Sequence, residues 1–318
     1  MNRKIIITGG LGFIGSNYLN KLVLAYPDYD FINVDSVTYA ANPENILPEV
    51  NSASNYHFIK ADIRDLEAMR QIFEAHRPTD IIHLAAESHV DMSIANPAIF
   101  METNITGTHN LLQLAQTFGL QRFHQISTDE VHGELGPDDP PFSATSPFAP
   151  NSPYSASKAC AELLVRAYIR TFGMDAVITR CSNNYGPNQD VSKLIPKAIV
   201  NILTGKKVPI YGNGQHVRDW IYVEDHVDAI DIVFHRGRGG GIYNIGGGAE
   251  HKNIDIIKKI ASIAEIIGDH IEFIEDRKGH DFRYAIDNSG MKEEFGWEPK
   301  VRLDDGLAKT VYFYKKRL

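Results

Sequence analysis

The chain has 318 residues, 43% of them hydrophobic and 23% charged, with a formal net charge of −8. That length suits one large domain or two closely packed ones of ordinary globular composition, and no apolar run is long enough to span a bilayer. The negative balance argues against a general nucleic-acid binder, whose affinity would come from clustered cations on phosphates. Two cysteines, Cys160 and Cys181, with no Cys or His cluster at ligand spacing, predict neither a disulfide framework nor a metal site, so a reducing cytoplasm is the expected setting.

The opening Met1-Asn2-Arg3-Lys4 is basic, but its apolar run enters Thr8-Gly9-Gly10 too soon for a signal peptide. A first β-strand, Lys4 to Thr8, is predicted instead. Gly10-Leu11-Gly12-Phe13-Ile14-Gly15 follows it and opens a helix-like run, the context in which the dinucleotide fingerprint is informative. Such glycines allow a tight turn, close backbone approach to a pyrophosphate and close helix packing, while the helix N-terminus offers free N–H groups. Gly9, Gly12 and Gly15 supply a second register for the same reading.

The next strand, Phe31 to Asp35, ends on a carboxylate twenty residues beyond Gly15, where it can accept hydrogen bonds from ribose hydroxyls. Ser36, Val37 and Thr38 bring no cation to meet a 2′-phosphate, which favours NAD over NADP. Strand-like runs continue at His57 to Ala61, Asp80 to Leu84, Arg122 to Ser127 and Asp175 to Arg180. Between them Leu66, Met69, Ile72 and Phe73, then Leu111, Leu112, Ala115 and Phe118, recur at helical spacing. This βαβ alternation predicts an α/β fold with a doubly wound, Rossmann-type parallel sheet.

Thr128-Asp129-Glu130 follows the fifth strand, at the sheet edge where open α/β folds bind ligands, and two carboxyls there can divide acid and base work. Neighbouring side chains of a strand point to opposite faces, so both reach one substrate only if the chain bends. Tyr154-Ser155-Ala156-Ser157-Lys158 places a phenol and an ammonium on one helical face. A free phenol, with a pKa near ~10, is a poor base at neutral pH, and a nearby ammonium and an oxidised nicotinamide ring both favour its phenolate.

After Cys181 the rhythm changes at Asn183-Asn184-Tyr185-Gly186-Pro187, so residues 1–181 are expected to form the dinucleotide-binding domain and 182–318 a smaller α/β domain. A helix-like run, Glu224 to Phe234, and a strand-like one, Ile242 to Ile245, suggest that 219–246 returns to the first domain. The short Arg236-Gly237-Arg238-Gly239-Gly240-Gly241 stretch suits a turn better than an RGG nucleic-acid segment, and Lys315-Lys316-Arg317 suits a solvated helix end.

These segments together resemble the dTDP-glucose 4,6-dehydratases, extended short-chain dehydrogenase/reductases. The matching stretches are Thr8 to Gly15, Leu84 to Asp91, Ser127 to Val131, Ser152 to Lys158, Arg180 to Pro187, Val217 to Trp220, Val223 to His226, Tyr243 to Gly247 and Gly279 to Asp281. The resemblance implies a reaction on one tightly held NAD. Tyr154, helped by Thr128 and Lys158, takes the C4 hydroxyl proton as the hydride leaves C4. Glu130 removes the acidified C5 proton while Asp129 protonates the departing C6 hydroxyl, and the hydride returns to C6 with a proton delivered to C5.

The resemblance also implies cofactor contacts from Gly9, Gly12, Phe13, Ile14, Gly15, Asp35, Ser36, Thr38, Asp62, Ile63, Leu84, Ala85, Ala86, Thr103, Tyr154, Lys158 and Asn184. It implies nucleotide-sugar contacts from Ser88, Thr128, Asn183, Lys193, Leu194, Pro209, Tyr211, Arg218, Asn253, Arg277 and His280. Chemically, Lys193, Arg218 and Arg277 suit a diphosphate, Tyr211 a base or sugar face, and Asn253 amide hydrogen bonds. His89, His226 and the other histidines read as structural or surface groups. A homodimer is implied too, with helix faces near Leu111 and Leu163 as candidates, faces that would equally suit packing on the sheet.

Four positions depart from the family pattern: His132 stands where Tyr is usual, Met92 where Arg is, Asn188 where an aromatic is and Lys278 where Pro is. They bear on base and sugar preference, so UDP-glucose or another activated hexose stands as an alternative substrate. A nucleotide-sugar 4-epimerase shares the NAD site and Tyr-x-x-x-Lys but needs no elimination. A non-catalytic NAD-binding regulator is opposed by the intact Tyr154, Lys158, Asp129 and Glu130.

Overall fold

The computed structural model describes residues 3–318; Met1 and Asn2, which open the basic N-terminal stretch, lie outside the described residues. Twelve strands are named in chain order. The first six are β1 (Lys4–Thr8), β2 (Asp30–Asp35), β3 (Tyr56–Lys60), β4 (Asp80–His83), β5 (Arg122–Thr128) and β6 (Ala176–Cys181), each within a residue of the predicted limits. The others are β7 (Asn183–Tyr185), β8 (Val208–Tyr211), β9 (Val217–Tyr222), β10 (Ile242–Ile245), β11 (Glu250–Lys252) and β12 (Ile271–Ile274).

Ile5, Ile6 and Ile7 are all buried, as are Phe31 and Ile32, because this sheet is covered on both faces. Its seven strands run β10-β6-β5-β4-β1-β2-β3, every pair parallel, and the order reverses between β1 and β4. The predicted doubly wound sheet is therefore present. At the reversal neighbouring connections leave to opposite faces and open a crevice at the carboxyl ends of the strands.

One face of the sheet carries helices Phe13–Ala25 and Val223–Arg236, which share a core containing Ile5, Ile7, Leu19, Val227 and Ile230. Helices Leu66–His76, Thr108–Phe118 and Pro153–Phe172 cover the other, around Ile6, Phe73, Leu112, Phe123 and Val165. Leu111 belongs to this interior and is fully buried, which corrects its candidacy for a dimer face. Its position in the helical repeat points it at the sheet, whereas Leu163 is 48% exposed and Phe172 52% exposed.

The second lobe begins with β7, which pairs with β9 in a three-stranded sheet, while β8 and β12 form a separate parallel pair. Helices Leu194–Leu203, Asn253–Ile263 and Leu303–Lys315 close its core around Ile199, Ile257 and Leu307. The stretch 219–246 divides: Val217–Tyr222 lies in the small sheet, and the chain rejoins the large one through helix Val223–Arg236 and β10, which lies beside β6. Both lobes thus face the ends of β1, β4, β5 and β6.

Candidate active site

A cavity of about 310 Å³ runs along those strand ends. Its walls include every cofactor candidate: Gly9, Gly12, Phe13, Ile14, Gly15, Asp35, Ser36, Thr38, Asp62, Ile63, Leu84, Ala85, Ala86, Thr103, Tyr154, Lys158 and Asn184. The geometry decides between the two glycine registers. Gly9 takes φ +75°, and a Cβ there would sit 2.7 Å from the Ala85 nitrogen. At Gly15 a Cβ would lie 2.3 Å from the Gly9 carbonyl oxygen, so this glycine lets the helix approach the turn. A Cβ on Gly12 would meet nothing nearer than 3.3 Å, leaving that backbone open to a ligand. Gly10 instead packs on Asn33 and Leu19.

Gly12 also begins helix Phe13–Ala25 without any side-chain cap, so this end presents amide hydrogens to the cavity. Asp35 accepts hydrogen bonds from the backbone N–H groups of Leu11 (3.0 Å) and Val37 (2.8 Å). Each carboxylate oxygen keeps a further lone pair for a ribose hydroxyl. Apolar walls, free amides at a glycine turn and a fixed acid fit a dinucleotide.

The bend required after β5 is a single 3-10 turn, Asp129–His132. Thr128 initiates it: its Oγ1 accepts from the Glu130 N–H at 3.3 Å and donates to Asp129 Oδ1 at 3.3 Å. Asp129 and Glu130 both line the cavity with Tyr154 and Lys158. The Tyr154 helix, Pro153–Phe172, starts from a Ser152–Ser155 capping box with Pro153 in its first position.

The two carboxyls occupy different fields. Burial raises Asp129 well above the ordinary carboxyl range, and the charges of Glu130 and Asp219 add to it. Burial raises Glu130 as well, but Arg218, Lys193 and Arg277 all oppose the rise. Asp129 is therefore the carboxyl more readily kept protonated and Glu130 the one more readily ionised.

Burial, then Glu130 and Cys181, push the Tyr154 phenol well above its usual value, against the Thr128 hydroxyl. Lys158 donates to the Ile126 carbonyl at 2.7 Å, and burial lowers it from 10.5 to about 8. The Lys158 hydrogen bond thus goes to the strand backbone and not to the Tyr154 hydroxyl.

Of the nucleotide-sugar candidates, Ser88, Thr128, Asn183 and Lys193 line the cavity. Lys193 donates to the Ser88 carbonyl at 2.9 Å. Tyr211, Arg277 and His280 form a separate cluster: the Arg277 guanidinium lies 4.9 Å from the Tyr211 ring centre, and the His280 ring meets Tyr211 edge-on. Asp91 ties this cluster to the segment after Ser88, accepting a hydrogen bond from Tyr211 at 3.1 Å and forming an ion pair with the Arg277 guanidinium at 2.7 Å.

Arg218 is spent largely inside the lobe, donating to the carbonyls of Val217, Asp281 and Phe282 and lying over the Tyr284 ring. Leu194 packs in the second-lobe core, Pro209 stands in β8, and Asn253 opens its helix with a buried, unpartnered Oδ1. None of these four is in the cavity wall.

Several contributors carried no readable signal. Asn104 sits in a π-helical segment, Met101–Gly107, and holds the loop after β4 through both backbone groups of Glu87, while its Nδ2 also reaches Ser157 Oγ at 2.8 Å. Tyr39 donates to Glu87 at 2.9 Å, and both line the cavity with His89 and Asp190. Buried His226 pairs with Asn184 at 2.8 Å, a structural role at one remove from the cavity.

His216, Asp276 and His280 also converge, from elements sixty residues apart in the chain. The two imidazoles stack 3.7 Å apart at 19°. Near-parallel rings keep their nitrogen lone pairs in separate planes, which suits stacking better than closure on one ion.

Residues 6–310 match the sequence model of the family described as GDP-mannose 4,6 dehydratase. The chain belongs to that family. It is 47% identical over 339 aligned positions to a dTDP-glucose 4,6-dehydratase of Escherichia coli, covering 98% of this chain and 93% of that one. The resemblance carried by the motifs therefore extends along nearly the whole chain.

Among family-like structures, the dTDP-glucose 4,6-dehydratase DesIV of Streptomyces venezuelae, solved with NAD bound, superposes with a TM-score of 0.94 at 43% identity, covering 98% of this chain and 97% of that one. A UDP-glucose 4-epimerase of Thermotoga maritima reaches 0.91 at 33% identity, with 99% of both chains covered. The fold is thus common to dehydratases and epimerases.

Proposed function

We propose that the protein converts dTDP-glucose to dTDP-4-keto-6-deoxyglucose and water, using tightly held NAD. The observation that carries this reading is the Asp129–Glu130 pair, two carboxyls in one cavity whose surroundings separate their proton affinities. An epimerase needs no such pair, so the site distinguishes what the fold leaves common. When bound, NAD+ would accept the C4 hydride, return it to C6 and lend a positive charge that favours the Tyr154 phenolate.

The chain's own residues supply the remaining proton chemistry. Tyr154 accepts the C4 hydroxyl proton, with the Thr128 hydroxyl and the Lys158 charge supporting its anion. Oxidation at C4 acidifies the C5 hydrogen, which Glu130 removes, and Asp129 gives its proton to the C6 hydroxyl as it departs as water; as C6 is reduced, Glu130 returns its proton to C5. Ser88, Asn183 and Lys193 hold the sugar end, while Tyr211, Arg277 and His280 receive the nucleotide end.

A homodimer joined through the exposed Leu163 and Phe172 side of helix Pro153–Phe172 completes the reading, as does a cytoplasmic location in keeping with two free cysteines. Among the described residues, no helix is long and apolar enough to cross a membrane. Incubation with dTDP-glucose deuterated at C4, followed by NMR, tests the function. Deuterium at C6 of a 4-keto-6-deoxy product is expected; a 4-epimer would overturn the assignment.

A further inference from the structure

His132, one of the four departures from the family pattern, ends the turn that carries Asp129 and Glu130, and its side chain is buried beneath that turn. Its Nδ1 lies 3.0 Å from the Pro147 carbonyl and its Nε2 3.1 Å from Arg180 Nη1. A carbonyl only accepts and a guanidinium only donates, so Nδ1 carries the hydrogen and Nε2 the lone pair. The ring stacks on Phe142, with centres 4.9 Å apart, and on Phe148 at 6.2 Å.

Each partner belongs to a different part of the site's frame. Arg180 lies in β6, forms a buried ion pair with Glu162 of the Tyr154 helix at 2.7 Å, and donates to the Ala144 carbonyl at 3.0 Å. Pro147 precedes Ala149, whose N–H bonds the Val131 carbonyl of the turn at 3.1 Å. Gly133 then leaves at φ +82°, and a Cβ there would lie 2.2 Å from the Ala149 carbonyl oxygen. The imidazole is where the acid-bearing turn, the strap before the Tyr154 helix and the Arg180–Glu162 pair meet.

We propose that His132 is a positioning residue that holds the Asp129–Glu130 turn in register with the Tyr154 helix, and that it does so only as the neutral, Nδ1-protonated imidazole. A second proton would place an N–H on Nε2, facing the Arg180 guanidinium, and break that contact. The charged groups reaching the ring are Arg180 and Glu162; burial and Arg180 hold its pKa below the ordinary value, against the Pro147 bond and Glu162. The oxidising pair, Tyr154 and Lys158, stands on its own capped helix, so loosening the turn should disturb elimination before oxidation.

This inference rests on the dehydratase reading, and single-turnover kinetics separates the two. NADH formation and its decay into 4-keto-6-deoxy product are followed in wild type, His132→Leu and His132→Tyr. For His132→Leu, NADH should form at a rate close to wild type and decay about 100-fold more slowly, the scale of a misplaced catalytic group. His132→Tyr restores an aromatic ring with a hydroxyl able to meet Arg180 and should recover much of that decay.

Across the acid pH range, elimination in wild type should fall with two ionisations, those of Glu130 and His132, and in His132→Tyr with Glu130's alone. Equal loss of both phases in His132→Leu, or identical acid limbs in wild type and His132→Tyr, would overturn the positioning role while leaving dehydration standing. If His132→Leu does not fold, the acid limbs decide. Wild-type enzyme that forms no dehydrated product would overturn the function, and this role with it.

Discussion

Replacing Gly12 and Gly15 separately by Ala distinguishes a glycine that admits a ligand from one that admits a helix. At Gly15 the new Cβ would lie 2.3 Å from the Gly9 carbonyl oxygen and 2.7 Å from the Gly10 Cα, backbone atoms that cannot rotate away. Overpacking of this kind costs about 1–3 kcal/mol, and the upper end applies where the neighbours are backbone. With an unfolding entropy of about 0.7 kcal/mol/K for a chain of 318 residues, 3 kcal/mol lowers Tm by about 4 °C.

At Gly12 φ is −75°, which Ala adopts freely, and the Cβ has its nearest neighbour at 3.3 Å. The main intrinsic cost is a poorer helix cap, so the protein without nucleotide should melt within about 1 °C of wild type. That Cβ instead occupies the approach to the free amides. Wild type held with NAD at about 100 times its Kd gains about 2.7 kcal/mol, near 4 °C in Tm. Thermal melts with and without added NAD, on protein stripped of nucleotide, should show this gain in wild type and not in Gly12→Ala. A full NAD shift in Gly12→Ala, or an unperturbed melt for Gly15→Ala, would refute the division of labour.

Glu130→Gln should form NADH from dTDP-glucose yet release little dehydrated product, because the base is gone while Tyr154 and Lys158 remain; normal product from it would remove Glu130 from its role. Wild-type elimination should decline as pH falls through the raised Glu130 pKa and as it rises through the still higher one of Asp129, a bell measurable in single turnovers. Lys158 carries a stability signature: folding lowers it from 10.5 to about 8, so between these values the unfolded chain binds more protons and stability rises with pH. Relative to Lys158→Met, wild type should gain up to about 3 kcal/mol between pH 8 and pH 10.5 in urea titrations, and a flat difference would contradict the burial of that ammonium.

The fold and the cofactor half of the site were legible in the sequence because their signals are local or periodic. Ile5 to Ile7 and the other apolar runs mark strands whichever partners they later acquire, and the Gly9–Gly15 turn with Asp35 depends on backbone requirements met within one βαβ unit. Tyr154 and Lys158 share a helical face because they are four residues apart. Asn188 shows how a departure from pattern can also be local: its φ of 69° is one that Asn tolerates better than an aromatic. The exposed Met92 and Lys278 have no such structural explanation here.

Only the tertiary structure decided which glycine faces the ligand, since Gly10 and Gly12 differ in what surrounds them rather than in kind. It also turned Leu111 inward, left Leu194, Pro209, Arg218 and Asn253 outside the cavity wall, and brought His132 against Arg180. Above all it made Asp129 and Glu130 unequal. Adjacent carboxyls are equivalent in a sequence; their proton affinities part because burial, Asp219 and the cations Arg218, Lys193 and Arg277 act through space from segments far along the chain.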